Sequence, residues 1–132
     1  MQFHDFIGQV QHRARLDSEE AALKLTRVTL ETLSERLGGE EPRDLAAQLP
    51  EEIGRYLTTP GKGERFNSDE FLQRVSEREG ADLPKAVYHV RAVFEVLGEA
   101  VSGGELNDVR QQLPEDYHRL FEAGTSGDMP NA

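Results

Sequence analysis

The sequence predicts an all-α protein made by tandem duplication of a four-helix unit, with the two copies packed in approximate two-fold symmetry into one compact domain. Three observations predict it. The apolar residues, within a composition that is 36% hydrophobic and 30% charged, recur at helical rather than alternating spacing. No cysteine is available for disulfides or thiolate metal sites. Most directly, the chain matches itself when shifted by 64 residues.

That shift places residues 25–57 over residues 89–121 without a gap. Identities include Arg27/Arg91, Glu31/Glu95, Glu35/Glu99, Glu41/Glu105, Asp44/Asp108, Gln48/Gln112, Pro50/Pro114, Glu51/Glu115 and Arg55/Arg119. Apolar positions match in kind at Leu30/Phe94, Leu45/Val109, Ile53/Tyr117 and Leu57/Phe121. Upstream, one residue of slip pairs Phe6, Ile7 and Val10 with Phe71, Leu72 and Val75. The units are expected to span 1–57 and 66–122, with a linker at 58–65 and a disordered tail at 123–132. A unit of that length buries too little surface to be stable alone, so the copies are expected to pack on each other.

Each unit reads as four helices. The first, near 3–14, carries Phe3, Phe6, Ile7, Val10 and Ala14 on one face; its counterpart, near 68–79, carries Phe71, Leu72 and Val75 after an Asn67 cap. A long helix is predicted over about 18–37, opened by Asp17 with Glu20 and stopped by Gly38-Gly39. Its partner follows Asp82, has Pro84 in the first turn, and runs to Val101. Thr26, Thr29 and Thr32 stand where the second long helix has Val90, Val93 and Val96. A buried hydroxyl needs a partner, so the second long helix is expected to be the more central.

Short helices are predicted at Pro42–Gln48 and Glu105–Gln112, each ending in a Gln-Leu-Pro-Glu phrase. Proline disfavours α geometry in the residue before it, so Leu49 and Leu113 must break the short helix. Proline's φ then suits the start of a new one. Leu49 and Leu113 are expected to plug the core at this elbow. Glu51 with Arg55, and Glu115 with Arg119, stand at i, i+4 in the favourable order.

The stretch Arg65-Phe66-Asn67-Ser68-Asp69-Glu70-Phe71-Leu72-Gln73-Arg74-Val75, the Ala92–Leu97 stretch and the doubled elbow resemble the bacterial family known as domain of unknown function 2267, over about residues 1–122. The resemblance implies a compact all-helical protein of two similar halves. It brings no established activity and no catalytic residues.

The residues themselves offer little catalytic chemistry. There is no thiol and no Gly-x-Ser-x-Gly elbow, and Pro60-Gly61-Lys62-Gly63 lacks the spacing of a phosphate loop. Glu115-x-x-His118 has the spacing of a di-iron ligand pair, but the first copy has Gly54 in place of the histidine. Neither enzyme activity nor a cofactor is therefore expected. A net charge of −10, with acids in excess in both halves, repels phosphate backbones, so no nucleic-acid partner is expected. With no membrane-length apolar run and no secretory leader in MQFHDFIGQVQ, a cytoplasmic location and no membrane partner are expected.

The polar residues kept in both copies are the candidate site: Arg27, Glu31, Gln48, Glu51 and Arg55, and Arg91, Glu95, Gln112, Glu115 and Arg119. One reading makes them solvated helix faces. Another has Arg27 and Arg91 reach to the elbows and hold Gln48 and Gln112, as an internal structural network. The function expected is a non-enzymatic, acidic protein–protein interaction or regulatory module, open to self-association through its doubled surfaces. The alternative is a small-ligand-binding domain with a pocket between the two repeats, lined by Phe94, Tyr117 and Phe121.

Overall fold

A computed structural model describes residues 1–122; the predicted tail at 123–132 lies outside the described residues. The elements, in chain order, are α1 (Phe3–Ala14), α2 (Glu19–Arg36), β1 (Gly38–Gly39), α3 (Glu41–Ala46), α4 (Glu51–Gly54), β2 (Gly61–Lys62), α5 (Ser68–Glu79), α6 (Leu83–Ala100), α7 (Gly103–Gln112), a 3-10 turn (Glu115–Tyr117) and α8 (His118–Glu122). The protein is thus helical, with one minimal antiparallel ribbon.

Local chemistry sets most helix ends. Asn67 Oδ1 accepts from the Glu70 N–H at the start of α5, and Asp82 Oδ1 from the Lys85 N–H at the start of α6. At α2 the cap is one residue later than the sequence suggests. Ser18, not Asp17, accepts from the Ala21 N–H. The two elbow prolines share a backbone conformation, Pro50 at φ −53°, ψ 142° and Pro114 at φ −60°, ψ 161°, but their flanks differ: α3 stops at Ala46, short of the predicted Gln48, while α7 runs to Gln112, and Pro50 leads into an α-helix where Pro114 leads into a 3-10 turn. Proline therefore caps the following turn from outside rather than opening it from within. Leu49 and Leu113 are both buried beneath their elbows.

The linker is not a bare loop. Gly38 pairs with Lys62 and Gly39 with Gly61, while Gly63 N–H donates to Leu37 O and Glu64 N–H to Glu35 O. These bonds satisfy carbonyls left over at the C-terminal end of α2. Gly61 must be glycine, because a Cβ there would stand 2.1 Å from Leu37 O. Turn-formers in the sequence predict a loop, but only the fold brings residue 61 against residue 37.

In the packing, α1 lies on α2 and α6, α5 lies on α6 and α2, and α3 meets α7. Phe6, Ile7, Leu30, Phe71, Phe94 and Tyr117 share one core that runs through both halves. The expectation that α6 is more central than α2 does not hold. Thr26, Thr29 and Thr32 are as fully buried as Val90, Val93 and Val96. Thr26 and Thr32 satisfy their hydroxyls on the carbonyls of Ala22 and Val28 in their own helix, at 2.8 and 2.7 Å.

Candidate functional site

The two glutamines of the elbows make an exchanged contact. Gln48 Oε1 accepts from the Ser102 N–H at 2.7 Å, and Gln112 Oε1 accepts from the Gly38 N–H at 3.1 Å. Gln48 and Gln112 are 64 residues apart, and so are Gly38 and Ser102, so each half caps the chain where the other half's long helix ends. The reading in which Arg27 and Arg91 hold these glutamines is thereby corrected: backbone N–H groups hold them. Each Gln→Ala substitution is expected to cost about 1 kcal/mol, read as a lower urea midpoint with unchanged slope. Equal, additive losses would fit two separate clasps.

The other paired residues divide. Arg27 and Glu31 form a surface pair at 3.3 Å, with both side chains more than two-fifths exposed. Glu95 and Glu99 instead reach across to Arg13 of α1, at 2.8 and 2.6 Å. In the other half, Glu35 receives Arg74 and Arg78 of α5, at 2.8 and 2.9 Å. Hydrogen bonding to Arg13 holds the Glu99 carboxyl below its ordinary range. Burial works against ionisation of Glu35, but its bonds to Arg78 and Arg74 outweigh it and lower that pKa too. Among the described residues, the expected pairs Glu51–Arg55 and Glu115–Arg119 do not form; Arg119 turns to Ser68 Oγ and Asp69 Oδ1, each at 3.4 Å. Sequence reading missed Arg13 and Arg78. They match only at a shift of 65, so an ungapped comparison at 64 passes over them.

Glu41 and Glu105, also 64 apart, meet where α3 packs on α7. Glu41 Oε1 and Glu105 Oε2 are both buried, and neither accepts a hydrogen bond from a protein donor. Burial first, and then the facing Glu105 with Asp108 and Asp44 beyond it, push the Glu41 carboxyl up to about 8. The raised value favours the protonated form of Glu41 at neutral pH, with its carboxyl facing that of Glu105.

Two clefts flank these contacts. The larger, about 640 Å³, lies among α5, α6 and α8; Leu72, Leu83, Val87 and Leu120 line it, with Asp69, Gln73, Arg91 and Arg119 as its polar groups. Leu83 is one of two large apolar side chains exposed among the described residues. The smaller, about 450 Å³, lies between the halves, with Leu16, Ala21 and Lys24 on one side and residues 79–82, Lys85 and His89 on the other. Neither cleft is lined by the expected aromatic set. Phe94 and Tyr117 are buried, and Phe121 stacks on Phe94 with centroids 4.3 Å apart. The Tyr117 hydroxyl, whose pKa burial raises to about 12, donates to the carbonyls of Phe66 and Asn67.

His118 Nε2 lies 3.4 Å from the Arg110 carbonyl, and Glu115 is exposed. Among the described residues, no group of three or more His, Cys, Asp or Glu is placed to hold a metal ion. Nor is any described helix long and apolar enough to cross a membrane.

Among the described residues, eight helices, two proline elbows and ion pairs exchanged between the two ends of the chain define a compact helical module. Residues 3–120 match the model of the family described as uncharacterized conserved protein (DUF2267), and the chain belongs to that family. No curated protein matches it.

Proposed function

We propose that this chain is a non-enzymatic interaction or regulatory module, working in the cytoplasm, whose acidic helical body is a tandem duplication packed about an approximate two-fold axis. The exchanged contacts of Gln48 and Gln112, and the matched pairs Arg13–Glu99 and Arg78–Glu35, support the duplicated arrangement. Its partner is a protein that presents an amphipathic helix with acidic residues beside its apolar face, and neither a nucleic acid nor a membrane.

One observation carries this reading. On a chain of net charge −10, Arg91 and Arg119 stand beside an apolar floor of Leu72, Val87 and Leu120 in the same cleft. Apolar anchors would fill the floor, and carboxylates would meet the guanidinium groups.

The cleft's volume, about 640 Å³, falls within the range of small-ligand pockets and supports a second reading. An apolar carboxylate such as decanoate would use the same groups. In this second reading the pocket lies within the second repeat, among residues 69–120, where the sequence suggests one between the repeats.

The test is amide chemical-shift mapping with a designed helical peptide bearing leucines at i, i+3, i+4 and i+7 and flanking glutamates, alongside decanoate. Saturable shifts at Leu72, Val87 and Leu120 are expected, and Arg119→Glu should weaken peptide binding about tenfold or more. Saturation by decanoate alone would favour the second reading. No saturable shift with either probe, or equal binding by the variant, would remove the groove as a working surface.

A further inference from the structure

The cleft between the halves holds a feature that the duplication does not require. His89 of α6 and Glu79 of α5 are joined by a hydrogen bond of 2.6 Å between Nδ1 and Oε2, with side chains only 7% and 9% exposed. In the first half the matching positions are Leu25 and Ala14, both fully buried. An apolar pair therefore serves the fold at this corner. A buried ion pair gives no general advantage in stability over apolar packing. The second copy thus carries a polar dyad at a position where packing alone is sufficient.

The surroundings indicate what the dyad faces. Glu79 binds Nδ1, and His89 Nε2 has no hydrogen-bond partner among the described residues. Glu79 Oε1 is buried without a partner as well. Two of the chain's three lysines, Lys24 from α2 and Lys85 from α6, line the same cleft, and neither forms an ion pair among the described residues. The acids here are already engaged, Glu79 by His89 and Asp82 as the cap on the Lys85 N–H. The cleft therefore presents two uncommitted ammonium groups and an imidazole oriented by a carboxylate, on an otherwise acidic protein.

We propose that the cleft formed by Lys24, Lys85 and the Glu79-oriented His89 binds a compact oxyanion, carried by a phosphate or a carboxylate group of a small molecule. The lysines supply the charge. Glu79 fixes the imidazole through Nδ1 and leaves Nε2 to the cleft, where the doubly protonated ring would donate Nε2–H to the bound oxygen. The site joins the first half to the second, so occupancy would tighten the contact between α2 and the α5–α6 corner.

The probes are inorganic phosphate and succinate, titrated separately into the full chain at constant ionic strength and followed by the imidazole and amide resonances of His89, Lys24 and Lys85. Saturable shifts with at least one probe are expected, and the probe that saturates identifies the group. The double substitution E79A/H89L installs the first half's own pair. It should fold with a melting temperature near the parent's and bind about tenfold or more weakly. Lys24→Glu, at an exposed position, should weaken binding similarly without touching the core. Arg119→Glu, in the other cleft, should leave it unchanged, which separates this site from the helix-binding groove. The proposal is overturned if neither probe saturates, or if Lys24→Glu binds as the parent does.

Discussion

At pH 9 the Glu41→Gln variant is expected to be more stable than the parent, and at pH 5 indistinguishable from it. The reason is the junction of α3 and α7. In the folded chain the Glu41 carboxyl titrates at about 8, whereas in the unfolded chain it titrates near 4.5. The folded state therefore binds more protons across that interval, and stability must fall as pH rises through it. The contribution is fully present below pH 4.5 and lost above about 8. One unit of pKa corresponds to about 1.4 kcal/mol. Discounted for the partial exposure of Glu41, the loss between pH 5 and pH 9 should be on the order of 3 kcal/mol. A glutamine amide, like the protonated acid, can donate to Glu105 but cannot ionise, so the variant's stability should stay flat over the same range. Urea unfolding at several pH values measures this directly. Parallel slopes for parent and variant would show that the Glu41 carboxyl does not keep its proton into that range. The Glu35 and Glu99 carboxyls, held low by arginines, act in the opposite sense and only in acid.

Phe71→Ala is expected to be severely destabilising, costing about 3–5 kcal/mol. Phe71 is fully buried, and its ring meets those of Phe94 at 5.8 Å, Tyr117 at 5.7 Å and Phe66 at 6.4 Å. Removing it opens a cavity between α5, α6 and the second elbow, and those rings lose their edge and face contacts. Total stability for such a domain is of order 5–15 kcal/mol, so the loss should appear as a large fall in urea midpoint. Phe6→Ala, at the matching position of α1, should cost less by about 0.5–1.5 kcal/mol. Phe6 is equally buried but has no aromatic ring contact among the described residues. Equal losses would mean that the aromatic cluster adds nothing beyond area. Tyr117→Phe should cost only about 1 kcal/mol, because Phe66 O keeps its bond from Arg36 Nε at 2.9 Å.

Much of the fold can be read along the chain, because the deciding forces are local. Helical spacing places Phe6, Ile7 and Val10 on one face, and Asn67 and Asp82 cap the helices that follow them. Leu113, which precedes a proline, is where α7 stops, whereas α3 already ends at Ala46, short of Leu49. The self-match also marked the residues that matter at the junction between the ends of the chain, although not their roles. Gln48, Gln112, Glu41 and Glu105 are all among its identities.

Partner choice was settled only in three dimensions. Nothing near Gln48 in sequence points to Ser102, and nothing near Glu41 points to Glu105; the packing of α3 on α7 and the folding of the two ends together bring them into contact. Arg91 and Arg119 look like surface charges until α5, α6 and α8 close an apolar floor beside them. His89 looks unsupported until α5 delivers Glu79 across the helix turn. Propensity, capping and proline sterics act over a few residues and are legible in order of sequence. Burial and charge pairing act over a few ångströms of space, and along the chain those distances do not exist until it has folded.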